Sequence, residues 1–162
     1  MQRSSWMPPI GLAIAVVALA AGTAGTAGTA GAQGFGELSR ATVETERDNI
    51  VSRSLRLSEK VGGKFWPLYR EYQAEKDKIV IDVEAILERF RIEFDTMSNE
   101  RARDLLEQYQ KTDNQRLKLR NSYLKKFGKI LSGRKLVRFF QIDNKLDTII
   151  DYDLAKNVPL IR

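Results

Sequence analysis

From Val61 onward apolar residues recur at gaps of mostly three and four: Val61, Phe65, Leu68, Tyr72, then Ile79, Val83, Ile86, Phe90 and Phe94. That period marks one face of a long helix. It predicts a helix from Ser58 to about Thr96, roughly 55 Å long at 1.5 Å per residue. Ser58 stands at the N-cap, its hydroxyl placed to accept from an orphan amide of the first turn, and Glu59 suits the positive end of the helix dipole. Pro67 lies inside this helix, removing one hydrogen bond and crowding the preceding turn, so a kink is expected there. Gly62 and Gly63 weaken the same region. A shorter helix over Ser39–Ser54 comes first. Its apolar positions (Val43, Ile50, Val51) are sparse, so it needs a partner to stay folded.

A third helix restarts after Thr96, with Ser98 or Asn99 as cap and Glu100 in its first turn. Ala102, Leu105, Tyr109, Leu119, Tyr123, Phe127 and Ile130 form one stripe, interrupted by polar Thr112 and Arg116; Leu106, Leu117, Leu124 and Leu131 form a second beside it. The short link at Met97–Asn99 predicts that helices two and three form an antiparallel hairpin. Ser132 caps a fourth helix to about Ala155. Leu131 and Leu136 bracket that cap as a hydrophobic staple, and Leu136, Phe139, Phe140, Leu146, Ile149 and Ile150 form its apolar face. Asn157 and Pro159 end it. No alternating pattern argues for a strand. The expected fold is all-α: four helices around a long antiparallel hairpin. A hairpin with two apolar stripes cannot bury both against itself, which predicts a homodimer.

The first 32 residues stand apart. Arg3, an apolar run from Ile10 to Ala21 and a small-residue stretch ending Ala30-Gly31-Ala32 read as a secretory signal cut after Ala32. The rival reading is an uncleaved anchor, because nothing from Ser4 to Gly36 is charged; the Gly/Thr-rich second half is poorly apolar for a spanning helix, which needs ~20 apolar residues. The expected organisation is a signal over 1–32, a flexible N-terminus over 33–38, a helical domain over 39–156 and a tail over 157–162.

Cysteine and histidine are both absent. Disulfides, thiol chemistry, imidazole bases and the usual zinc or copper sites therefore drop out, and neither enzymatic activity nor a cofactor is expected. A secreted chain without cysteine points to a bacterial periplasm. From Asn114 to Ile142 the sequence has nine Lys and Arg and no Asp or Glu. The run is interleaved with Tyr123, Phe127, Phe139 and Phe140. It reads either as a solvated face or as a basic binding surface with aromatic contacts. Export argues against nucleic acid and leaves acidic unfolded protein segments or anionic lipid head groups.

One phrase occurs twice, 74 positions apart: LSEKVGGKFWPLY from Leu57 and LSGRKLVRFFQID from Leu131. Leu57-Ser58-Glu59-Lys60-Val61 and Leu131-Ser132-Gly133-Arg134-Lys135 resemble two degenerate copies of the LTxxQ motif of the Spy/CpxP superfamily of small periplasmic helical proteins. The segment Lys64–Tyr72, KFWPLYREY, is similar to an aromatic segment of many uncharacterised members. Val61 and Lys135 stand where the family has Gln. The resemblance implies a four-helix protein that dimerises antiparallel into a thin curved cradle. It implies either an ATP-independent chaperone holding unfolded clients or, alternatively, a regulator binding the periplasmic domain of a sensor kinase or an anti-sigma system. A metal-sensing role is discounted for want of histidine.

The candidate contacts for a client or partner are Lys64, Phe65, Trp66, Tyr69, Arg70, Lys126, Arg138, Phe139 and Phe140, with Leu57, Ser58, Leu131 and Ser132 as capping residues. For Phe65, Trp66 and Tyr69 the competing reading is core at a kinked helix. Phe140, about 100° round the helix from Phe139, is the better candidate for exposure or a dimer contact. Arg70, Lys126 and Arg138 either steer acidic clients or are simply solvated.

Overall fold

The computed structural model describes residues 38–161, and the proposed signal and most of the N-terminal link lie outside them. The described residues form helices α1 (Arg40–Leu55), α2 (Glu59–Glu93), α3 (Asn99–Gly128) and α4 (Gly133–Ala155), with a 3-10 turn at Phe94–Thr96 and no strand. The all-helical class is the one the periodicity predicts.

Each boundary has a local cause. Ser39 and Ser98 cap α1 and α3 through their hydroxyls, which accept from Thr42 N and Arg101 N at 3.2 Å. Ser58 and Ser132 occupy the N-cap positions of α2 and α4 with extended backbone, but their hydroxyls make no capping bond. This corrects the expectation for both copies of the repeated phrase. What these helix starts share instead is a leucine: Leu131 is buried and Leu57 packs against the core. α1 ends on Arg56, which adopts the left-handed conformation (φ 44°). Its last carbonyls are taken from outside the helix, for Lys135 Nζ donates to Leu55 O and Arg56 O at 2.8 Å. α2 runs through Pro67 without a break. Pro67 has no N–H to offer the Gly63 carbonyl one turn back, and both residues are exposed, so water can serve that group.

α2 and α3 lie along each other. Arg101, in the first turn of α3, pairs with Glu93 at the end of α2 at 2.6 Å, while Tyr123 and Lys126 near the end of α3 donate to Glu71 near the start of α2. α1 packs mainly on α4. The core sits where the start of α2, the end of α3 and the start of α4 meet. Phe65, Tyr69, Tyr72, Tyr123, Phe127, Phe139 and Phe140 form one aromatic cluster, with Phe127 and Phe139 centroids 4.7 Å apart. Phe65 and Phe139 stand at the same offset from the two repeated serines and meet edge-on at 5.3 Å. The repeat thus supplies two helix starts that each deliver a phenylalanine, two turns in, to a shared core.

Candidate binding surface

Four of the five aromatic candidates are core. Phe65, Tyr69 and Phe139 are essentially inaccessible and Phe140 is 7% exposed, so none offers a surface on this chain; only Trp66 is half-exposed. The expectation for Phe140 is corrected by the packing of α4. Its buried arc is wide enough to hold Phe139, Phe140, Ile142, Asp143 and Leu146 together, so a residue 100° from Phe139 still faces Tyr72 and Phe127. Arg120 covers it further, 5.5 Å from the ring centroid.

The basic span divides into working and free cations. Arg116 pairs with Asp151 at 2.7 Å, Lys126 with Glu71 at 2.9 Å while lying over the Tyr123 ring, and Lys135 holds the end of α1. Lys135 therefore has an internal task that its unfavourable place in the first turn of α4 does not suggest. Lys118, Lys125, Lys129, Arg134 and Arg138 are exposed and make no ion pair among the described residues. Lys64 and Arg70, on the first half of α2, are likewise exposed and unpaired. Of the nine predicted contact residues, the structure leaves Lys64, Arg70 and Arg138 free at the surface, Trp66 partly so, and Lys126 exposed but engaged.

A polar centre lies where α1, α2 and α4 meet. Asp143, 3% exposed, accepts from Tyr72 Oη at 2.9 Å, Arg47 Nη1 at 3.0 Å and Lys76 Nζ at 2.8 Å. Asp147, one turn on, accepts from Arg47 Nη2 at 2.7 Å and Lys76 Nζ at 2.6 Å. Two carboxylates and two cations thus close a neutral square. Burial alone would raise the Asp147 carboxyl, but Lys76 and Arg47 outweigh it and hold it below the usual carboxylate range. Burial likewise works against the Arg47 charge, and Asp147 and Asp143 more than compensate. The Tyr72 hydroxyl is pushed well above its ordinary value by burial and by Asp143. Such a square ties three helices together and fixes α1, whose apolar face is short. It was missed as a candidate, although a signal existed: Arg47 follows Val43 by four, and Asp143 interrupts the Phe139–Leu146 line.

Among the described residues the Tyr69 hydroxyl is left over: it is buried near Asp48 but reaches no partner in hydrogen-bonding geometry. The second α3 stripe stays largely uncovered, with Leu106 and Leu117 each 57% and Leu124 43% exposed. Among the described residues no group of three or more Asp and Glu is placed to hold a metal ion, and no helix is long and apolar enough to cross a membrane. No family model, curated protein or solved structure matches the chain.

Proposed function

We propose that this is an exported, ATP-independent holdase, a Spy/CpxP-like helical cradle that keeps acidic unfolded segments of other proteins apart. The observation that carries this reading is the one-sided charge. Lys118, Lys125, Lys129, Arg134 and Arg138 are exposed and form no ion pair among the described residues, in a span where the sequence has no carboxylate. Lys64 and Arg70 add to the same sign from α2. Unpaired surface cations attract acidic chain segments over about a Debye length, ~8 Å at physiological ionic strength. Such contacts form fast and release easily, which suits a protein that holds clients without altering them. The working unit in this proposal is an antiparallel homodimer. The exposed Leu106–Leu117–Leu124 line supports it, because a second copy would cover that seam. Running antiparallel, the copy would also set the first half of α3, which holds all four of that helix's carboxylates, against the basic second half.

The test is suppression of aggregation of a chemically denatured acidic client by the chain from residue 33 onward, without ATP, over a range of salt. Suppression that weakens with salt, and with Lys125→Glu, Lys129→Glu and Arg138→Glu combined, is the expected result. No suppression at several-fold molar excess overturns the proposal; a single partner captured at fixed stoichiometry, without general suppression, favours a regulator instead. Light scattering at micromolar concentration reads the dimer directly.

A further inference from the structure

α2 and α3 continue past the end of α4. The last side chain of α4 that reaches α3 through an ion pair is Asp151, on Arg116, and α4 stops at Ala155. Beyond that level no third helix among the described residues lines the cleft between the outer halves of α2 and α3. Its walls are Ile86, Leu87, Phe90, Leu105, Leu106 and Tyr109, enclosing about 380 Å³, and among the described residues that line it Arg103 alone is charged. What lies against this cleft is the non-helical segment after α4, through Val158 and Ile161.

That segment is loosely held. Val158 N donates to Ala155 O at 3.0 Å, and among the described residues no hydrogen bond or ion pair ties residues 158–161 to α2 or α3. Pro159 has no N–H to donate, and Leu160 is 87% and Ile161 59% exposed. Its chemistry is nonetheless specific. Residues 156–162 read Lys-Asn-Val-Pro-Leu-Ile-Arg, an apolar stretch between two cations with no acid. The helix tips it adjoins are acidic: from Ile81 to Glu107 there are eight Asp and Glu against four Arg and no Lys.

We propose that the cleft between the outer halves of α2 and α3 is a binding groove for extended apolar peptide segments flanked by basic residues, and that Val158–Ile161 is its displaceable internal occupant. The inference rests on the holdase reading and deepens it by giving the apolar part of a client its own place, apart from the basic surface. Ile86 and Leu105 are buried, but Leu106 stays 57% and Tyr109 38% exposed, so the cleft gains from any apolar segment laid along it. The internal segment gains likewise, and its tethering lowers the affinity of the groove for other chains by the fraction of time it is in place.

The experiment titrates a fluorescein-labelled synthetic peptide of the sequence Lys-Asn-Val-Pro-Leu-Ile-Arg into the full chain and follows anisotropy. A variant carrying Val158→Asp and Ile161→Asp releases the internal segment. Both residues lie outside the helices, so helix content by circular dichroism is expected to stay unchanged. The released variant binds the peptide at least about tenfold more tightly than the unaltered chain. Adding Leu87→Glu, on the α2 wall and away from the exposed α3 seam, abolishes binding. Exchanging both peptide cations for glutamate weakens it. Equal affinity of the unaltered and released chains overturns the internal occupant, and binding that survives Leu87→Glu overturns the groove. Aggregation assays on the same variants separate the two readings. Peptide binding without suppression leaves the groove and sinks the holdase; suppression indifferent to both sets of substitutions does the reverse.

Discussion

Asp143→Asn is the sharpest perturbation the structure offers. The exchange keeps the shape of the side chain and an acceptor for the Tyr72 hydroxyl, but removes one of two negative charges facing Arg47 and Lys76. Those cations have side chains only 11% and 14% exposed, so the square passes from neutral to a net charge of +1 with little water to absorb it. Breaking a buried pair from one side costs about 3–5 kcal/mol. Asp147 remains and is 31% exposed, so the lower end applies, about 3 kcal/mol. For a domain of this size that is a fall in Tm of about 10 °C. Urea denaturation followed by far-UV circular dichroism measures it. A second exchange, Lys76→Met, restores neutrality and should recover part of the loss, with a coupling of about 1–3 kcal/mol in the double-mutant cycle. If Asp143→Asn costs less than about 1 kcal/mol, the value for an exposed pair, or the cycle shows no coupling, the square is not what holds α1 to the rest.

The acid side of the stability curve should carry the same signature. The Asp147 carboxyl titrates below its ordinary value in the folded chain, so its contribution is present above the unfolded value near 4 and lost as pH falls through the lowered folded value. Asp147→Asn should flatten that limb in a pH series of urea midpoints. Lys135→Met should cost about 1–2 kcal/mol by freeing the Leu55 and Arg56 carbonyls. It should also speed amide exchange in the last turn of α1 more than elsewhere, and uniform exchange would argue that the bonds do not hold that end. Tyr69→Phe removes a buried hydroxyl with no partner and should leave stability unchanged or raise it by up to about 1 kcal/mol. A clear loss in thermal melts would reveal a partner for that oxygen.

Helix existence and type were legible because three runs of apolar residues keep a period near 3.6 and all four helices start after a serine, Ser39, Ser58, Ser98 and Ser132, at the cap. The partnering of faces was less so. Phe140 reads as an outward residue if α4 presents one stripe, and is buried because the helix touches more than one neighbour. The capping role of Ser58 and Ser132 failed for a different reason. Position on the backbone is set by the helix start, whereas whether a hydroxyl turns toward the amides is a side-chain choice that spacing does not encode. Lys135 and Arg47 show the limit of reading charge along the chain. Both look like solvated cations until the fold brings carbonyls from α1, or carboxylates from α4, within reach.

The most consequential feature could not be read from periodicity at all. The stripe along α2 continues with the same character from Phe65 to Phe90, and nothing in it marks where its cover ends. That boundary is set by another helix: α4 starts beside the aromatic cluster and, at 23 residues, is shorter than either α2 or α3. On the covered side of it, seven aromatic rings and a neutral square of charges saturate the interior. On the other, Leu106 and Tyr109 remain exposed beside a segment that makes few bonds of its own. The apolar pattern is therefore closed core at one end of the long helices, whereas at the other Ile86 and Leu105 are buried while Leu106 and Tyr109 are left exposed at the cleft. Lengthening α4 by replacing Asn157 and Pro159 with alanine and leucine would extend its cover, and should stabilise the fold while closing the cleft to the peptide. Stabilisation without loss of peptide binding would mean that the peptide sits elsewhere.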